Sequence, residues 1–74
     1  MFNLEVGQVL EFIAPVQVDG SVVAKGTRVR VGFILSEVVE PKVTLVVLDE
    51  AQPRTLQLLR HDVTLHCRPV PAKA

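Results

Sequence analysis

The chain predicts an all-β fold, a small antiparallel barrel of about five strands, and three observations carry that expectation. Apolar residues alternate with a period of two across 28–35 and again across 43–48, the pattern of strands with one buried face. Between them the chain reverses at Glu40-Pro41-Lys42, so the two runs read as an antiparallel hairpin. Further short apolar runs separated by tight turns, in a chain of only 74 residues, close best into a barrel, which leaves no sheet edge exposed.

Taken in order, the first apolar segment covers 9–13 and ends at Ala14-Pro15, where proline has no N–H for a central ladder and marks an edge or a break. Val16-Gln17-Val18 continues extended to Asp19-Gly20, a reverse-turn dipeptide, and these segments together make a loose, bent first hairpin. In Val22-Val23-Ala24-Lys25-Gly26-Thr27, Gly26 can take a positive φ at little steric cost and redirect the chain. The strand 28–35 follows, with Val29, Val31, Phe33 and Leu35 expected inward and Arg28, Arg30, Gly32 and Ile34 outward.

Residues 36–41 connect it to 43–48, where Val43, Leu45 and Val47 point inward and Thr44 marks the wetter side. Residues 49–53 are polar turn material, and 54–59 forms the next strand with Leu56 and Leu58 inward. A short turn at Arg60-His61-Asp62, tightened by the Asp62 side chain, leads to a closing strand over 63–67. A helix over 56–60 is the weaker reading, because the segment is short and lacks a cap. One domain covers 1–74, and its prolines, Pro69 and Pro71, make 68–74 an extended or frayed tail.

So small a domain buries only roughly 60–65% of the surface its unfolded chain exposes, which leaves stability marginal. Cys67 is the one cysteine, so no intrachain disulfide can compensate, and oligomerisation is the first remedy to expect. Hydrophobic residues make up 49% of the chain and charged residues 22%, more apolar material than one tiny core can hide. Part of it should line an interface.

Eight basic and eight acidic side chains give a formal net charge of zero, so no overall field draws phosphate backbones or anionic lipid. The aromatic residues are Phe2, Phe12 and Phe33, too few to stack unpaired bases or to line a groove for proline-rich peptides. Nucleic acid and membrane are therefore not expected partners. The start of the chain has no basic segment ahead of an apolar one, no apolar run approaches the roughly twenty residues of a membrane span, and a lone cysteine suits a reducing compartment, so a cytoplasmic placement is expected.

With the central hairpin pairing about 36–42, Arg28 is expected opposite Glu50, Arg30 opposite Leu48, Gly32 opposite Val46 and Ile34 opposite Thr44. The next hairpin brings Gln57 and Leu59 onto the same outward surface. Ile34, Val46, Leu48 and Leu59 then form an apolar outer patch, read as the interface for a second copy, with an unidentified protein as a further partner. Arg30 and Gln57 beside the patch would set orientation, and Arg28, Arg30 and Gln57 are the candidates for holding a small ligand. Curling of the barrel, or the N-terminal segment packed across the patch, is the alternative way to cover it. A register slip of one residue would exchange the two faces, and the doubly apolar 43–48 permits one.

Chemistry has little to work with. His61, His66 and Cys67, with Asp62 nearby, are the metal-ligating candidates, but adjacent strand residues point to opposite faces and no second cysteine completes a tetrahedral set. Cys67 lacks the base or cationic setting that activates a nucleophile. Glu37 with Glu40, and Asp49 with Glu50, lie in turns where solvation explains them. Arg28, Arg30, Arg54 and Arg60 could gather near one rim as an anion site, but pairing of Arg28 with Glu50 and of Arg54 with Asp49 is the simpler role. No catalytic residue, metal or cofactor is expected.

Over 9–67 the arrangement resembles an SH3-like barrel, on Val23-Ala24-Lys25-Gly26-Thr27 as the turn before the central hairpin and Arg60-His61-Asp62-Val63 as the tight turn before the last strand. That resemblance implies a fold and not a function. Leu56-Gln57-Leu58-Leu59 is similar to the Val-Gln-Ile-Tyr strand of the type II dihydrofolate reductases, which implies four barrels around a shared pore. Gln57 alone carries over, since Leu59 stands for the tyrosine and the chain has no tryptophan. Asp19-Gly20-Ser21-Val22-Val23-Ala24 with 26–31 is similar to the Asp-x-Ser-x-x-Gly segment and following strand of PilZ domains, which implies cyclic di-GMP binding through Arg28 or Arg30. Ala24 replaces that motif's last glycine, and no arginine precedes Arg28. The resulting expectation is a non-enzymatic, self-associating protein-interaction module, with a nucleotide-binding barrel or a pore-type reductase as the alternatives.

Overall fold

The computed structural model describes residues 3–18, 20–35, 39, 41–48, 51–52 and 54–71. Along the chain run β1 (Val9–Phe12), β2 (Val16–Val18), β3 (Ser21–Val23), β4 (Arg28–Leu35), β5 (Lys42–Val47), β6 (Thr55–Leu59), α1 (Arg60–His66) and β7 (Cys67–Pro69). A five-stranded antiparallel sheet in the order β6-β5-β4-β1-β7 forms the body, and β2 and β3 pair as a separate two-stranded sheet. The fold is predominantly β, compatible with a small β-barrel-like architecture.

The sheet is not closed, which corrects the expected closed barrel: β6 and β7 are its two edges and do not pair with each other. The chain crosses from one edge strand to the other through the seven residues of α1. At a rise of 1.5 Å per residue these span only about 10 Å, so the sheet must curl enough to bring the end of β6 near the start of β7.

The first hairpin also differs from expectation. Val16 to Val18 turn at Gly20, whose φ is 80°, and pair with β3, while β1 pairs with β4 on one side and β7 on the other. Gly26, at φ 91°, ties the next turn onto β1: its N–H donates to the Phe12 carbonyl at 2.8 Å, and the Phe12 N–H donates to the Thr27 carbonyl at 2.9 Å. The expected turn residues Asp19, Asp49, Glu50 and Pro53, and most of the 36–41 connection, lie outside the described residues.

The core is a single cluster. Leu10 and Phe12 of β1, Val29 and Val31 of β4, Val43, Leu45 and Val47 of β5, and Leu56 of β6 meet Val18 and Val23 of the small hairpin, Val63 of α1 and Cys67 of β7. No polar or charged side chain is buried among the described residues, so the interior is held by apolar contact and backbone ladders alone.

In β4 the alternation breaks. Val31 lies opposite Leu45, but Phe33 lies opposite Thr44, so Gly32 is an extra residue in the ladder, a β-bulge. The consequence is an exchange of faces for the rest of the strand. Phe33 and Leu35, expected in the core, are 57% and 37% exposed, and Ile34, expected outside, packs against the core instead. Arg30 pairs with Val46 rather than Leu48, a two-residue displacement that keeps the faces; Ile34 pairs with Val43 rather than Thr44, a one-residue displacement that exchanges them.

The closing segment is a helix where a turn and strand were expected. Val63, Leu65 and Cys67 fit a strand's alternation, but Leu65 is 57% exposed while Val63 and Cys67 are buried four residues apart, the spacing of one helical face. The Cys67 N–H caps the helix on the Val63 carbonyl, and the Thr64 hydroxyl donates to the His61 carbonyl at 3.0 Å. Asp62 lies in the first turn and makes no side-chain cap; its charge suits the positive end of the helix. Arg68 and Pro69 then pair with β1, and the Val70 N–H donates to the Val9 carbonyl at 2.9 Å.

Candidate interaction surface

The outer face of β4, β5 and β6 is built in rows set by the ladder. Arg30, Val46 and Thr55 form one row, Phe33, Thr44 and Gln57 the next, and Leu35, Lys42 and Leu59 the last. Leu48 sits beyond the first row, its N–H donating to the Arg28 carbonyl at 3.0 Å. Of the four apolar residues expected here, Val46, Leu48 and Leu59 lie on this face and Ile34 does not. Phe33 and Leu35 take its place, two residues that alternation alone assigned to the interior. The signal for them was Gly32, since a glycine within a strand often marks a bulge.

Arg28, Arg30 and Gln57 do not converge. Arg30 and Gln57 are separated by the width of β5 and by one row, which puts their backbones more than about 10 Å apart. Arg28 lies opposite Glu11 of β1, which in turn lies opposite Arg68 of β7. The Arg68 guanidinium donates through Nη2 at 3.0 Å and Nε at 3.3 Å to one oxygen of Glu11. This exposed pair contributes little stability, since water screens it. Arg28, Glu11 and Arg68 line an open cleft of about 420 Å³ together with Pro69, Val70 and Pro71. The pairings of Arg28 with Glu50 and of Arg54 with Asp49 fall on carboxylates outside the described residues.

Cys67 is 3% exposed, and burial in apolar surroundings pushes its thiol up to about 12. A thiol so poised is protonated and inert at neutral pH. A thiol reagent is expected to leave native protein unmodified and to react with Cys67 once denaturant opens the core; rapid modification without denaturant would mean the thiol is not in the core. The same shift has a sign for stability. The unfolded thiol ionises near its ordinary value of 9.0 while the folded one holds its proton to about 12, so this contribution is present below pH 9 and is lost as pH rises toward 12. A Cys67→Ala comparison of denaturant midpoints across that window isolates it.

His61 is exposed and His66 half-buried on α1, and among the described residues no three His, Cys, Asp or Glu side chains come together as a metal site. No helix in the described residues is long and apolar enough to cross a membrane. No protein-family model, no curated protein and no solved structure matches the chain, so its function has to be read from this surface.

Proposed function

We propose that this chain is a non-enzymatic protein-interaction module that associates with itself through the outer face of β4, β5 and β6. The observation that carries the reading is the exposure of Phe33 and Leu35 on a face that also carries Leu48, Val46 and Leu59, interleaved there with Arg30, Lys42, Thr44, Thr55 and Gln57. Several large apolar side chains left exposed on one face of a small domain, with polar residues among them, fit an interaction site. Full burial of such a side chain is worth roughly 1.5–3 kcal/mol, of which Phe33, 57% exposed, would contribute about half and the more covered Leu35, Leu48, Val46 and Leu59 less, before the cost of association is subtracted. Arg30 and Gln57, in different rows, supply polar contacts that orient the second copy.

The hairpin of β2 and β3 between β1 and β4, and the helix between β6 and β7, support assigning the domain to the SH3-like kind. A single, buried, protonated cysteine is in keeping with a cytoplasmic setting. Solution mass, measured by light scattering during size-exclusion chromatography over about a tenfold concentration range, tests the reading. A mass that is a multiple of the chain's supports it. A monomer at every concentration removes it and leaves the face to a different protein.

A further inference from the structure

The backbone of the two sheet edges points to how a second copy attaches. This inference takes from the reading above that the chain associates with itself and adds a second contact, at the sheet edge, which leaves the outer face free for the first. In the β5–β6 ladder the Val47 N–H donates to the Arg54 carbonyl at 2.9 Å, and the Arg60 N–H to the Pro41 carbonyl at 2.8 Å. Hydrogen-bonded pairs alternate in an antiparallel ladder, so Leu56 and Leu58 also turn their backbone groups toward β5. Thr55, Gln57 and Leu59 therefore turn theirs to the outside. Three N–H groups in a row, with the carbonyls of Thr55 and Gln57, stand along an edge where the Thr55 and Gln57 residues are exposed. The Leu59 carbonyl belongs to α1, because Leu59 is its N-cap. Although β2 comes near β6, it does not pair with it.

The other edge is poorer for strand addition, because it has acceptors but no donor. The Ile13 N–H donates to the His66 carbonyl and the Val70 N–H to the Val9 carbonyl, both at 2.9 Å, so in β7 it is Cys67 and Pro69 that face outward. The Cys67 N–H is spent on the helix cap, and proline has no N–H. That edge offers no donor. Sheets protect edges in this way against unwanted pairing, and β6 has no such device: no proline, no bulge and no charge within Thr55–Leu59.

We propose that β6 pairs antiparallel with β6 of a second copy about a two-fold axis at Gln57. In that register Gln57 faces its own counterpart and Thr55 faces Leu59. The Gln57 N–H and carbonyl bond reciprocally across the axis, and each Leu59 N–H donates to the opposing Thr55 carbonyl. The edge is self-complementary, which favours a second copy over an unrelated strand, and the donor-free β7 edge makes head-to-tail pairing the weaker of the two, so a closed pair is favoured. The side chains at the axis are neutral. Arg54 approaches Arg60 of the second copy only at the ends, where both are exposed and salt screens them. The outer faces of the two copies then lie side by side in one continuous sheet.

Gln57→Pro tests this directly, because it removes an N–H that turns away from β5 and that the ladder of the described residues does not use. The variant is expected to keep its strand circular dichroism while halving the solution mass of the assembly. Amide hydrogen exchange on the unaltered protein gives a second reading that needs no mutant: the Thr55 side of the pairing aside, the Gln57 and Leu59 amides are expected to become protected at least tenfold as concentration is raised. A full-mass assembly of Gln57→Pro, or unprotected Gln57 and Leu59 amides in an assembled sample, overturns the pairing while self-association through the face stands. A wild-type monomer at every concentration overturns both.

Discussion

Phe12→Ala is expected to lower the melting temperature by about 15 °C or more, a loss of about 3–5 kcal/mol of folding free energy. Phe12 is 1% exposed and sits in β1, the strand that joins β4 to β7, so its ring is surrounded by side chains from both sides of the sheet order. Truncating it removes transfer free energy and leaves a cavity that the neighbouring ladders, fixed by backbone bonds, cannot collapse to fill. A domain of this size has only about 4–11 kcal/mol in total, so the change takes a large share of it. Thermal unfolding followed by circular dichroism measures the effect. A shift below about 5 °C would place Phe12 outside the tightly packed core.

Ile34→Arg is expected to cost about 3 kcal/mol or more, whereas Phe33→Arg, one residue earlier, leaves the fold intact. Ile34 packs against the core, so an arginine there gives up apolar contact and must strain to keep its charge in water. Phe33 faces outward and is mostly exposed, so its replacement removes little that the single chain needs. It does place a charge in the middle of the proposed interface, and the solution mass is expected to fall. Denaturant midpoints of the two variants decide the matter. Equal destabilisation would mean that the bulge at Gly32 does not exchange the faces in solution.

This pair of neighbours shows where reading from the sequence stops. Val29, Val31, Val43, Leu45, Val47 and Leu56 were legible as core because hydrophobic alternation directly reports which face of a strand is dry. Past Gly32 the same rule assigned Phe33 and Leu35 inward, since nothing in apolar alternation counts an extra ladder residue. The candidate surface was legible in Val46, Leu48, Leu59 and Gln57, and misread at Ile34 for that one reason. Helix α1 was missed because Val63 and Cys67 satisfy periods of two and of 3.6 equally well, and only the fate of Leu65 separates them.

The amino-acid sequence by itself determined that the protein is β, that its central hairpin is 28–48, and that it carries more apolar surface than its core consumes. These follow from local periodicity and composition, which need no partner strand to be read. The tertiary structure alone decided the order β6-β5-β4-β1-β7, the open edges, the bulge and the short helix between the edges. Those depend on which backbone groups find partners across the sheet and how far the chain must travel to reach them. Such constraints act between residues distant in sequence, as between β6, whose Thr55, Gln57 and Leu59 turn their N–H groups away from β5, and β7, whose outward positions are Cys67 and Pro69.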